Sequence, residues 1–213
     1  MLLKELLFLI DMNYEFAFIG GIQNCYTFQT VNQVVYEIKF TPTPYLFGED
    51  SFFAPYTYEF SILVADNPTE NNPTFDDRTS YTVASIFTDF YERSNELITV
   101  YICDSSDGRQ LIRQRKFNYW FYFFVNDDFV KYDDIIRDVD GQKYPVTIIL
   151  KEQNPFKAKI IGDFIALIGG YNTGKQLRRI YTMYRHSHGY IISASSTTNS
   201  TPFSSSVSSR IAR

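Results

Sequence analysis

Two cysteines and two histidines are the side chains best suited to nucleophilic or metal chemistry in this chain, and their positions restrict that chemistry. Both histidines, His186 and His188, lie near the C-terminus, far along the chain from Cys25 and Cys103. A Ser-His-Asp or Cys-His catalytic set, or a histidine-based zinc site, is therefore not expected in the folded body. Because the cysteines form no C-x-x-C pair, we interpret them as buried thiols in a reducing compartment, with no metal and no cofactor.

The segment from Cys103 to Arg109 has the C-x5-R spacing that cysteine phosphatases place between a strand and a helix. In such a site the cysteine thiolate is the nucleophile, backbone N–H groups hold the phosphate, and the arginine clamps it. Ser105, Ser106, Gly108 and Arg109 would form the anion-binding loop. Two aspartates in the same segment oppose a bound dianion, so we favour a structural corner. Phosphatase-like catalysis and anion binding without catalysis stay as alternatives.

A second spacing, G-x-x-x-x-G-K from Gly169 to Lys175, resembles a phosphate-binding loop. Gln176 stands where such a loop has the Ser or Thr that holds magnesium, and no strand is predicted after it. We therefore interpret the glycines as a helix C-terminus followed by a turn.

An aromatic-rich loop at residues 41–55 is the strongest candidate for a binding site. Its three prolines exclude a strand within a ladder, and it carries Tyr45, Phe47, Phe52 and Phe53. The loop either folds back over the core or presents these rings as an exposed recognition patch. The second interpretation supports our leading hypothesis, a non-enzymatic binding or regulatory module that meets a protein partner or associates with itself.

Charge limits the other partners. Residues 171–213 contain six basic residues and no acidic one, so they carry +6, whereas residues 1–170 carry −10. An acidic body repels nucleic acid and anionic membranes, so nucleic acid is not the favoured partner, and binding it through the basic C-terminal segment stays as an alternative. Met1–Ile10 is too short to span a membrane and is interrupted by charges, unlike a secretory signal. We expect no membrane partner and a cytoplasmic location.

The periodicity of apolar residues predicts the elements that position these sites. Strand patterns cover residues 14–18, 26–29, 34–40, 56–65, 98–103 and 144–150. Helix patterns cover residues 83–90, 109–124, 160–168 and 175–185. Residues 126–142 are acidic and polar, and we interpret them as a loop, with a short helix inside it as the alternative. Together these patterns predict an α+β fold: an antiparallel sheet of five or six strands with two or three helices packed on one face.

We expect a single domain over residues 12–170. Residues 1–11 are interpreted as an N-terminal extension, with Met12 as a candidate for the true start and a short docking helix over residues 1–10 as the alternative. Residues 171–188 are expected to form a basic short helix or linker. Residues 189–213 are rich in Ser and Thr and cannot bury enough apolar area to offset their ordering entropy, so we expect a disordered tail.

Three parts of the sequence together resemble an uncharacterised bacterial family of unknown function. They are Tyr101–Gln110 (YICDSSDGRQ), Phe117 with Trp120, and the earlier Phe40–Phe47. The resemblance covers roughly residues 14–150, and the CDSSDGRQ block is its most specific part. It implies a bacterial intracellular origin and a common fold, and it brings no assigned activity.

Overall fold

The computed structural model describes residues 12–48, 50–69, 76–103, 105, 108–124, 128–137 and 141–172. The predicted N-terminal extension and the Ser/Thr-rich tail lie outside these residues. So do the two histidines and almost all of the predicted basic segment.

The described chain contains seven strands and three α-helices. The strands are β1 (Phe16–Gly20), β2 (Cys25–Gln29), β3 (Val35–Pro42), β4 (Thr57–Asp66), β5 (Ile98–Ile102), β6 (Phe129–Arg137) and β7 (Lys143–Lys151). The helices are α1 (Asp77–Tyr91), α2 (Gln110–Phe124) and α3 (Lys157–Asn172), and a short 3₁₀ turn, Ala54–Tyr56, precedes β4.

The strands form one mixed sheet in the order β1-β2-β3-β4-β5-β7-β6. Every neighbouring pair is antiparallel except β4 and β5, which pair in parallel where Thr57–Glu59 meets Ile98–Val100. The parallel pair arises because α1 carries the chain from the end of β4 back to the start of β5, a crossover that a tight hairpin cannot provide. The α+β class is confirmed, but the predicted antiparallel sheet of five or six strands is wrong in type and number.

The strand that the sequence pattern does not predict is β6. Residues 126–142 were expected to form a polar loop, yet Phe129–Arg137 pairs with β7 along its whole length. Three charged residues, Lys131, Asp133 and Asp134, interrupt the apolar alternation that marks a strand. Two of them, Lys131 and Asp133, form an ion pair with each other. This pairing compensates two of the charges that β6 carries.

One hydrophobic core lies between the sheet and the helices α1 and α2. The ring of Phe40 on β3 stacks on Phe90 of α1 with their centroids 3.7 Å apart. The indole N–H of Trp120 on α2 donates to the Ser80 carbonyl of α1 at 2.7 Å, so the two helices are joined side by side. Tyr91 of α1 also packs in this core, where its ring meets Phe129 of β6 edge-on.

A second core lies on the opposite face, between α3, the aromatic-rich loop and the strands β5, β7 and β6. Consecutive residues of β7 alternate between the two cores: Ile149 belongs to the first, and Ile148 and Leu150 belong to the second. The helices therefore lie on both faces, with α1 and α2 on one and α3 on the other. This differs from the expected packing on a single face.

The Tyr91 hydroxyl attaches α1 to the neighbouring strands β5 and β7. It donates to the Ile149 carbonyl at 2.8 Å and lies 2.9 Å from Thr99 Oγ1. Burial raises the pKa of this hydroxyl above its usual range. Within the described residues, no helix has the length and apolar character needed to cross a membrane.

Candidate interaction surface

The structure does not expose together the four aromatic residues that were predicted to form a recognition patch. Phe53 is buried in the second core, and Tyr45 and Phe47 are half-buried against it. Phe52 is 66% exposed, and its ring meets Phe156 edge-on with centroids 4.7 Å apart. The loop folds back over the core, so these four side chains do not share one exposed patch.

Hydrogen bonds hold the aromatic-rich loop against β4. The Thr43 N–H donates to the Thr57 carbonyl at 2.8 Å, and the Thr57 hydroxyl donates to the Phe53 carbonyl at 2.9 Å. Burial, together with the nearby Glu59 carboxylate, raises the pKa of Tyr45 to about 12. The loop is therefore a packed part of the second core.

The predicted strand and helix flank the C-x5-R segment, since β5 ends at Ile102 and α2 begins at Gln110, but Cys103 is not placed as a nucleophile. The residue is 1% exposed, and burial raises the pKa of its thiol to about 11. Its backbone N–H extends the β5–β7 ladder by donating to the Pro145 carbonyl at 3.1 Å. Because a protonated, buried thiol is a poor nucleophile, this geometry does not support phosphatase-like catalysis.

The candidate anion-binding loop is described in part. Ser106 lies outside the described residues. The Gly108 N–H donates to the Ser105 carbonyl at 3.1 Å, and Gly108 has a φ of +72°, which favours glycine. Arg109 follows it and is exposed immediately before α2. The described part of the loop is a turn that leads into the helix, and anion binding here stays a prediction.

A surface whose exposed apolar residues the sequence reasoning missed lies on the outer side of α2, where basic side chains had been interpreted as a solvated face. Its six exposed residues, which we call the α2 surface, are Leu111, Ile112, Arg115, Lys116, Tyr119 and Tyr122. The apolar and aromatic members are 40–71% exposed. The helix has three basic residues and no acidic one. Apolar and polar residues are spread around the helix without a single apolar stripe, so α2 has apolar side chains on its outer side as well as on the side that packs in the first core.

A groove of about 410 Å³ lies beside the α2 surface, between α2 and the edge strand β6. Gln114 lines it from the helix, and Asp133, Asp134, Ile135 and Arg137 line it from the strand. The groove is thus bounded by a helix on one side and a sheet edge on the other.

An ion pair lies next to this groove. The Lys131 side chain is 1% exposed and pairs with Asp133, which also accepts a hydrogen bond from the Thr147 hydroxyl at 2.6 Å. Burial lowers the pKa of Lys131, and Asp133 opposes that shift. The Lys131 ammonium is 5.8 Å from the ring centroid of Phe121 and 5.6 Å from that of Tyr122, so the C-terminal half of α2 also lies over β6. The charge of Asp133 is therefore largely compensated.

The described residues contain no group of three or more His, Cys, Asp and Glu side chains arranged to hold a metal ion. The fold and the α2 surface thus define an α+β protein whose most exposed apolar helix face is also basic.

Residues 75–166 match a family described as a family of unknown function, DUF6169. This match confirms the resemblance to an uncharacterised family. It spans α1, α2 and the groove, and it excludes the aromatic-rich loop. No curated protein and no solved structure matches the chain.

Proposed function

We propose that this protein is a non-enzymatic binding module that holds an acidic protein partner on the α2 surface. The observation that carries the proposal is the exposure of Leu111, Ile112, Tyr119 and Tyr122 on one helix. Exposed apolar side chains that adjoin one another mark interaction sites, and aromatic residues with arginine are enriched where partners meet.

The charge of the surface favours an acidic partner. Arg115 and Lys116 are exposed among the apolar side chains of a chain whose net charge is −4. A local basic region on an acidic protein attracts and orients acidic partners. Two copies of this surface would repel each other, so self-association through α2 is disfavoured. Nucleic acid would match the charge but not the apolar Leu111 and Ile112.

The buried thiol of Cys103 favours a binding role over the phosphatase-like alternative. The other alternative, nucleic-acid binding through the basic C-terminal segment, concerns residues outside those described. The free thiols of Cys25 and Cys103 are compatible with a reducing bacterial cytoplasm, which we propose as the location.

Site-specific photocrosslinking tests the proposed function. A photoreactive amino acid at Leu111 is expected to capture an acidic protein in cells that express this chain. The matched control carries the same group at Ile165, which is 43% exposed on α3 compared with 40% for Leu111. Equal capture from both positions would contradict the proposal, because α3 lies on the opposite face of the sheet.

Binding of the captured protein is then measured by calorimetry. The double variant Ile112→Glu/Lys116→Glu removes an apolar contact and reverses a charge, so we expect the affinity to fall by at least about tenfold. Ile165→Glu is expected to leave it unchanged. Wild-type affinity in the double variant would count against the α2 surface, provided that circular dichroism shows it folded.

A further inference from the structure

The residues of the α2 surface form one continuous face of the helix. At about 100° per residue around the helix axis, all six fall within an arc of about 140°. Phe117, Trp120 and Phe121 lie on the opposite side of the helix and pack in the first core. Because the two faces are separate, a partner can cover the outer face without disturbing the core.

Along the helix axis, the α2 surface has the length of three helical turns. A rise of 1.5 Å per residue places Leu111 and Tyr122, its first and last members, about 17 Å apart. The basic residues Arg115 and Lys116 lie midway, about one turn from an apolar pair on either side. The two apolar pairs are Leu111 with Ile112 and Tyr119 with Tyr122. A complementary segment therefore has apolar residues at both ends and acidic residues between them.

The outer side of a helix offers a partner only side chains. Between the ends of α2, the backbone N–H and C=O groups are bonded within the helix itself, so none is directed at a partner. A segment that buries its own backbone on this surface must satisfy its N–H and C=O groups internally. An α-helix does so within a single segment, whereas an extended strand does not. The surface therefore favours a helical partner over an extended one.

We infer that the partner docks on the α2 surface as an amphipathic α-helix of about three turns, with apolar residues toward both ends of its contact face and acidic residues between them. This inference rests on the proposed function and specifies the structure of the partner. The apolar side chains of the partner pack against the two apolar pairs of α2, and its carboxylates pair with Arg115 and Lys116.

A display library of random peptides of about twenty residues, long enough for a helix to form, supplies the probe when it is selected against the full chain. Enriched peptides should carry apolar residues at helical spacing with Asp or Glu between them. Circular dichroism of the tightest peptide should show a gain of helix on binding. Proline at a central position of the peptide, outside its contact face, should lower the affinity at least about tenfold, because proline breaks a helix. Alanine at that position is the matched control, and neither peptide changes the chain itself.

Charge reversal tests the acidic contact. Calorimetry with Lys116→Glu should show an affinity lowered by about tenfold, because the variant places a carboxylate opposite the acidic residues of the peptide. A peptide in which the facing Asp or Glu is replaced by Lys should recover most of that loss. Lys159→Glu reverses an exposed charge on α3 and should leave the affinity unchanged. A loss that the exchanged peptide does not recover would contradict the pairing.

The outcomes separate this inference from the proposed function. Peptides that lose affinity for Ile112→Glu/Lys116→Glu, yet tolerate proline and gain no helix, would overturn the helical partner while the α2 surface stands. Peptides that bind the double variant as tightly as the wild type would overturn both. A library that yields no binder overturns the helical partner alone, since crosslinking at Leu111 also detects a partner that docks through a folded surface. A wild-type chain that sediments as a dimer, with a monomeric double variant, would overturn the inference in favour of a second copy.

Discussion

The meander β1–β4 and the strands β5, β7 and β6 belong to one sheet but bury their residues differently. In β3, the buried Tyr36, Ile38 and Phe40 alternate with half-exposed residues, including Lys39. In β7, all six residues from 145 to 150 are buried. The difference arises because α1 and α2 cover the meander on one face, whereas the strands beyond it are covered on both. Alternation of buried and exposed residues along a strand therefore indicates a sheet with one solvated face. A continuous apolar run indicates a sheet that is covered on both faces.

The same difference explains where the candidate site lies. The doubly covered part of the sheet ends at β6, and the N-terminal half of α2 borders the groove there. The family match begins at residue 75, after the meander, and covers this second region. The part of the chain that matches the family thus contains the α2 surface and the groove.

The largest expected effect tests the difference in burial directly. Ile148→Ala and Ile149→Ala remove neighbouring side chains that enter opposite cores, so each should lower the free energy of unfolding by about 2–5 kcal/mol. In β3, Ile38→Ala should cost a similar amount, whereas Lys39→Ala should cost less than about 1 kcal/mol. Denaturation by urea at pH 7 measures all four. A mild effect at either β7 position would show that one of its faces is not a packed core.

A smaller effect is expected at the cap of α1, the helix that covers the meander. The Asp76 carboxylate accepts the Thr79 N–H at 2.7 Å and the Tyr14 hydroxyl at 2.6 Å. Burial alone would raise its pKa, but the hydrogen bonds from Thr79 and Tyr14 outweigh burial and lower it. Asp76→Ala should therefore destabilise the protein by about 1–2 kcal/mol at pH 7.

The pH dependence of that difference has a definite sign. Because the folded pKa of Asp76 is lowered, its ionic stabilisation is present above the unfolded value of about 4 and is lost as the pH falls through the folded value. Thermal melts from pH 7 to pH 3 should show the two proteins converging. The control Asp77→Ala removes an exposed first-turn carboxylate and should cost less than about 1 kcal/mol. A constant gap between wild type and Asp76→Ala would contradict this account.

The smallest expected effect is a difference in labelling rate between the two thiols, and measuring it requires no substitution. Cys25 lies on the meander and is half-buried, whereas Cys103 follows β5 and is buried. In the native protein at pH 7.5, iodoacetamide should label Cys25 at least about tenfold faster than Cys103, and unfolding should remove the difference. Peptide mass spectrometry measures both rates. Faster labelling of Cys103 would restore the C-x5-R segment as a catalytic candidate.

Some features were predictable from particular residues, and others were not. The alternation of Tyr36, Ile38 and Phe40 was enough to predict β3, because burial of one face repeats every second residue. The helical spacing of Phe117 and Phe121 likewise predicted α2. Strand β6 was missed because the ion pair of Lys131 with Asp133 hides its period, and the aromatic-rich loop left two interpretations open.

The sequence by itself determined the α+β class, most of the strands and the three described α-helices. Local period and residue type carry that information, because they depend on neighbours along the chain. Only the tertiary structure decided that Phe53 is buried and that Cys103 has a raised pKa. It also decided that Ile112 and Tyr122 are exposed on α2. These properties depend on which segments, distant along the chain, cover a side chain, and a run of apolar letters does not distinguish a covered face from an open one.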